Sequence, residues 1–224
     1  MKLKSFGCSF IFGSELADAG LNGPYVAGSL LTWPALLAKQ QGYEYQTYAR
    51  PGAGNLQIME RVLNQITDEP TLFVIGWTWI DRFDYVSEDA PMWFPKDIQR
   101  WGTIMPTDST DVAQTYYRNL HSEYRDKLTS LTAVRTVIDT LKSRSQPFIM
   151  TYMDELMFDT AYHSSPAVEL LQDYVKPYMR QFDGLNFVEW SKKNGHPIGT
   201  AAHPLEAAHA AAASYMLEFG IDKV

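Results

Sequence analysis

"SFGCSFIFGSEL", residues 5–16, is the stretch on which the reading of the fold turns. The short run at 3–6 has strand character, stops at Gly7 and passes at once to Cys8 and Ser9, with another glycine at Gly13. Glycine ends a strand without steric demand. A sharp turn at that point lifts a hydroxyl above the carboxyl edge of a sheet, which a plain connecting loop has no need to do.

Outward from this stretch, strand and helix signals alternate. Residues 32–42, "TWPALLAKQQG", read as a helix with Thr32 as cap, Pro34 in the first turn and Gly42 as the stop. "YEYQTY" is β-rich, and "NLQIMERVLNQI" places Leu56, Met59, Val62, Leu63 and Ile66 on one helical stripe. "TLFVIG" (71–76) is a continuous apolar run, as in a strand buried on both faces. The spacing predicts one long helix over 115–142 through Leu120, Tyr124, Leu128, Leu131, Ile138 and Leu141. Two further buried strands are expected at "PFIMTY" (147–152) and "LNFVE" (185–189), before a last helix near "HPLEAAHAAAASYM". Five strands alternating with helices imply a three-layer α/β/α domain on a five-stranded parallel sheet, with all 224 residues in one unit. Residues 77–114, rich in Trp, Pro and Asp, break the rhythm as an excursion. A segment of that length is usually functional or packed over the core.

Composition narrows the function. A net charge of −7 argues against a nucleic-acid surface. No apolar run approaches the ~20 residues that span a bilayer, and no secretory leader is read at the N-terminus. The single cysteine rules out an internal disulfide and fits a reducing compartment. The expected location is therefore the cytoplasm, or a particle assembled there. No metal-ligand spacing and no phosphate-binding glycine pattern is present, so no cofactor is expected.

Open parallel sheets bind ligands beyond the carboxyl ends of their strands. Those ends deliver Gly7-Cys8-Ser9, then "ARPGAGN" (49–55), "GWTWIDR" (76–82), "TYMDELMFD" (151–159) and finally "NGHPIGTAAHPLEAAH" (194–209). A serine, a glycine-rich turn and a histidine opening the last helix supply a nucleophile, oxyanion donors and a base for acyl transfer.

These blocks, in this order, resemble the SGNH/GDSL hydrolase superfamily, whose fold is a flavodoxin-like five-stranded parallel sheet. Gly7-Cys8-Ser9 stands where that superfamily has G-D-S, so the resemblance implies Ser9 as nucleophile. It implies Gly54 of "PGAGN" as an oxyanion donor, Thr78 of "GWTW" in place of an asparagine donor, and His203 of "TAAHP" as base. Thr200 stands where the triad acid would be. The altered signature is similar to a divergent, phage-type group. The activity implied is hydrolysis of a small-molecule or glycan ester, with O-acetylated carbohydrate preferred; the alternative is a catalytically degenerate binding or virion protein.

Other readings of these residues stay open at this stage. Cys8 is a second nucleophile candidate or a packing residue, and Ser9 is a nucleophile or a helix cap. The acid is Asp154 at the end of the fourth strand, or His203 works as a dyad oriented by the Thr200 hydroxyl or a backbone carbonyl, or the site is catalytically dead. Trp77 and Trp79, with Trp93 and Trp101, are candidates for an aromatic face against a sugar. Asp81 with Arg82, and Glu206 with His209, read as local structural pairs, and His196 as a loop residue.

Overall fold

The computed structural model describes residues 1–20, 28–89 and 99–218. The chain opens with β1 (Lys2–Phe6) and the single-turn α1 (Ser9–Phe12), followed by α2 (Trp33–Gln41) and β2 (Glu44–Thr47). Next come α3 (Asn55–Asn64), β3 (Thr71–Trp77) and two strands of the excursion, β4 (Phe83–Val86) and β5 (Trp101–Ile104). Then follow α4 (Asp111–Asn119), α5 (Glu123–Ser143), β6 (Phe148–Tyr152), α6 (Pro166–Val175), α7 (Phe187–Lys193) and α8 (Glu206–Glu218).

The main sheet runs β2-β1-β3-β6, and every neighbouring pair is parallel. All seven residues of β3 are buried, as its unbroken apolar run requires. Alternation along the strands splits the core between two faces. Leu3, Leu72, Val74 and Ile149 pack with Trp33, Leu37, Trp190 and Ala212 of α2, α7 and α8. Phe6, Phe73, Ile75 and Met150 pack with Ile58, Val134, Ile138 and Val168 of α3, α5 and α6. The three layers are therefore those the strand–helix alternation dictates.

Two expectations need correction. The fifth strand over 185–189 does not form among the described residues, and the parallel sheet has four strands. Asn186 instead caps α7, its side-chain oxygen accepting the Glu189 N–H at 2.9 Å. The fifth position beside β6 is taken by a single parallel bridge between Met150 and Met179, with Arg180 donating to the Met150 carbonyl at 2.7 Å. The long helix over 115–142 is two helices. Ser122 starts the second by accepting the Arg125 N–H, and the N–H groups of Leu120 and His121 fold back on the Tyr116 carbonyl. Leu120 is left exposed rather than on the core stripe.

The excursion is a packed unit. β4 and β5 pair as an antiparallel ribbon, and Tyr117 of α4 donates to the Asp81 and Ile104 carbonyls. Asp84, on β4, reaches the first turn of α3, where it accepts the N–H groups of Gly54 and Gln57, each at 3.0 Å. It also accepts from the Thr103 hydroxyl at 2.6 Å. Gly54 lets the carboxylate approach this closely, since a Cβ there would meet it at 2.5 Å. Arg50 joins the same turn to the ribbon through the Gln57 side chain and the Trp101 carbonyl. The glycine-rich loop after β2 is thus held from both sides.

Candidate active site

Gly7 ends β1 at a close approach of three elements. A Cβ there would meet Ile11 at 2.6 Å and the Gly76 carbonyl at 2.9 Å, so the turn admits only glycine. Ser9 follows as the first residue of α1, half-buried, with its N–H in the helical turn that lacks an intrahelical acceptor. Cys8 is 1% exposed and belongs to the core, which is the packing reading.

Ser9 and His203 line one cavity of about 600 Å³ at the carboxyl edge of the sheet. Gly52, Trp79, Arg82, Asn186, Glu189 and Lys192 contribute to its walls. The His203 ring lies 4.7 Å from that of Phe10, which in turn meets Trp79 at 5.5 Å. Ser9 and His203 share no hydrogen bond among the described residues.

The carboxylate at His203 is Glu15. Its Oε2 lies 2.8 Å from His203 Nδ1. The same carboxylate accepts from the Thr200 hydroxyl at 2.8 Å and from the Ala201 N–H at 3.0 Å. These contacts pull Glu15 down to about 2, the Ala201 N–H contributing most and the His203 ring next. An ionised carboxylate only accepts, so the proton of His203 sits on Nδ1 and Nε2 is left as the basic nitrogen. Glu15 is held in this position with a left-handed φ of +71°, uncommon for a residue with a side chain.

Neither expected source of the acid contacts the His203 ring. Thr200 does not orient His203 directly; it donates to the carboxylate that does. Asp154 accepts the Ile80 N–H at 2.9 Å and the Leu156 N–H at 3.0 Å, capping the short turn that follows β6. The signal for Glu15 was in the opening stretch itself: an acid directly after Gly13-Ser14, six residues past Ser9.

The expected oxyanion donors, Gly54 and Thr78, do not line the cavity. The Gly54 N–H is committed to Asp84. Thr78 is fully buried. Its backbone is clamped by Asn55, which accepts the Thr78 N–H at 2.9 Å and donates to its carbonyl at 3.2 Å. Gly52, with a φ of +80°, is the glycine of that loop that reaches the cavity wall.

Among the tryptophans, Trp77 is fully buried and Trp79 lines the cavity. Trp101 donates to Glu60 at 2.8 Å, away from the cavity wall, and Trp93 lies outside the described residues. Arg82 does not bond to Asp81; it donates to the Ala53 carbonyl at 3.0 Å and stacks 4.9 Å from the centre of the Trp79 ring. Glu206 and His209 do not pair either: Glu206 accepts the Ala17 N–H, and His209 is buried, taking the Trp33 N–H. A second cavity of about 650 Å³, walled by Phe83, Ile104, Tyr116 and Leu120, holds neither Ser9 nor His203.

No family profile matches the chain, and no curated protein matches it in sequence. Solved structures do. A member of the lipolytic protein G-D-S-L family from Veillonella parvula matches with a TM-score of 0.51 at 12% identity, over 98% of each chain. A catalytic mutant of Axe2, an acetylxylan esterase from Geobacillus stearothermophilus, matches at 0.52 and 12% identity, over 100% of this chain and 95% of that one. TesA matches at 0.53 and 13% identity, over 97% of each. The chain has the fold of the G-D-S-L lipolytic proteins and of acetylxylan esterases, with a divergent sequence laid over it.

Proposed function

We propose that this protein is a serine ester hydrolase. Ser9 Oγ attacks the ester carbonyl while His203 Nε2 takes its proton, and the imidazolium is balanced by Glu15 through Nδ1. The oxyanion is met by the Ser9 N–H and the Gly52 backbone. His203 then returns the proton to the departing alcohol, and water, activated by the same nitrogen, releases the acid. The reading rests on one observation above the rest: Ser9 and a carboxylate-bound His203 line the same cavity. The proteins of shared fold support it as analogy, since they include an acetylxylan esterase. An O-acetylated carbohydrate fits the cavity's Trp79 face, the one candidate ring among the described tryptophans that lines it.

The missing hydrogen bond between Ser9 and His203 favours a second reading, a degenerate site that binds without turnover. Catalytic hydrogen bonds are often long in unliganded sites and tighten with substrate, which keeps the hydrolase reading ahead. Turnover of p-nitrophenyl acetate by the wild type and by Ser9→Ala separates the two. The hydrolase reading predicts a loss of about 10³-fold or more in kcat with unchanged thermal stability. Equal rates in the two proteins would move the chemistry elsewhere, and an inactive wild type on a panel of esters would replace the enzyme by the binding protein.

A further inference from the structure

The cavity wall contains three charged side chains, Arg82, Glu189 and Lys192. Lys192 and Glu189 pair with each other at 2.9 Å. Glu15 lies behind His203, taken up by the ring N–H, the Thr200 hydroxyl and the Ala201 N–H, and does not line the cavity. Arg82 remains. Among the described residues no carboxylate lies within ion-pair distance of it. One N–H of its guanidinium is spent on the Ala53 carbonyl, and the plane rests on the Trp79 ring. The partly buried carboxylate of Asp81, next in the chain, feels the Arg82 charge as well as those of Asp154, Asp126 and His121, but it does not bond to the guanidinium. An arginine fixed at one nitrogen and stacked on an aromatic ring has little conformational freedom left to lose, and its remaining donors form a fork suited to a carboxylate, sulfate or phosphate. In a protein of net charge −7, a fixed cation with no carboxylate at ion-pair distance, in the same cavity as the serine, points to an anionic group on the ligand.

We propose that Arg82 is a specificity-determining residue and that the substrate carries an anionic group beside its ester. This rests on the hydrolase reading for the identity of the bond cleaved, but not for the recognition of the anion. Trp79 then serves two purposes, as a platform for the guanidinium and as an apolar wall beside the reacting ester.

The test uses matched pairs. On the alcohol side, p-acetoxybenzoate is compared with its methyl ester. On the acyl side, p-nitrophenyl hydrogen succinate is compared with its methyl ester. Each rate is corrected for the hydroxide-catalysed rate of the same compound. The wild type is expected to favour the anionic member of at least one pair by about tenfold or more in kcat/KM. Arg82→Gln is expected to bring that ratio to near one, and Arg82→Lys to keep part of it. The same pairs are titrated calorimetrically into Ser9→Ala and Ser9→Ala/Arg82→Gln, which reports recognition without turnover. Tighter binding of the anionic member by Ser9→Ala, lost in the double variant, is the supporting result. Equal affinity and equal turnover within both pairs, or a preference that survives Arg82→Gln, overturns the inference. Absence of turnover with all four esters counts against the hydrolase reading alone, and the binding arm still decides the role of Arg82.

Discussion

Acid should destabilise this protein in part through one buried imidazole. His209 on α8 is 1% exposed, and its Nδ1 accepts the N–H of Trp33 at 3.0 Å. Trp33 opens α2, so that N–H is one of the helix's unpaired first-turn donors, and a neutral histidine is needed to satisfy it. Burial pushes His209 down to about 3, with the charge of His203 adding to the effect. An unfolded histidine titrates near 6.5. Between those values the unfolded chain binds a proton that the folded chain refuses, so stability rises with pH: it is full above about 6.5 and is lost as pH falls toward about 3. The slope is about 1.4 kcal/mol per pH unit, or roughly 2–3 kcal/mol by about pH 4.5. That is a large share of the ~5–15 kcal/mol that holds a typical domain. Other groups also titrate in this range, so the comparison is with His209→Gln, whose amide oxygen can still accept the Trp33 N–H but does not titrate. Urea unfolding followed by tryptophan fluorescence across this range should show the wild-type slope flattened in the variant. Parallel curves would mean that His209 is not a buried neutral imidazole, and the account of how α8 docks on α2 would fail.

Three further outcomes follow from the site and its supports. Glu15→Gln should lower kcat on p-nitrophenyl acetate by about 10²–10³, less than the ~10⁴ known for a buried triad acid, because the Glu15 side chain is 22% exposed; an unchanged rate would remove Glu15 from the mechanism. Thr200→Asp alone should slow the enzyme, since Thr200 now donates to Glu15 at 2.8 Å and a second carboxylate there would repel it. In the Glu15→Gln background the same change should restore turnover about tenfold or more, and failure to do so would mean that a carboxylate at position 200 cannot serve His203. Asp84→Ala should cost about 2–4 kcal/mol in urea unfolding by orphaning the Gly54 and Gln57 N–H groups, with Asp84→Asn costing about half as much; a neutral Ala variant would show that the excursion does not hold the glycine loop.

The layers and the serine turn were legible because they depend on local pattern. The apolar run at 71–76 and the stripe from Leu56 to Ile66 carry their period in the chain itself. Gly7 marks a close approach that only glycine permits. What was illegible depended on competition between neighbours. "LNFVE" has the composition of a strand, but Asn186 is a better cap than a strand residue, and a cap needs only one N–H three residues on. Leu120 fits the helical stripe, yet Ser122 two residues later starts a new helix. The site divides in the same way. Ser9 and His203 sit at strand and helix ends that pattern reading finds, whereas Glu15 reaches His203 across 188 positions of sequence. Thr200 was read as orienting His203 itself because its partner could not be seen; in the fold it donates to that partner. Gly52 and Gly54 are equivalent as letters, and only Asp84, from the excursion, distinguishes them by occupying the N–H of Gly54.

The central claim, an activated serine at the carboxyl edge of the sheet, is tested most directly by labelling with a fluorophosphonate and mapping the adduct by mass spectrometry. The account predicts a single stoichiometric adduct on Ser9, slowed in Glu15→Gln and absent from a protein in which His203 is replaced by glutamine. No adduct at any serine of the wild type, or an adduct formed at the same rate without His203, would contradict it.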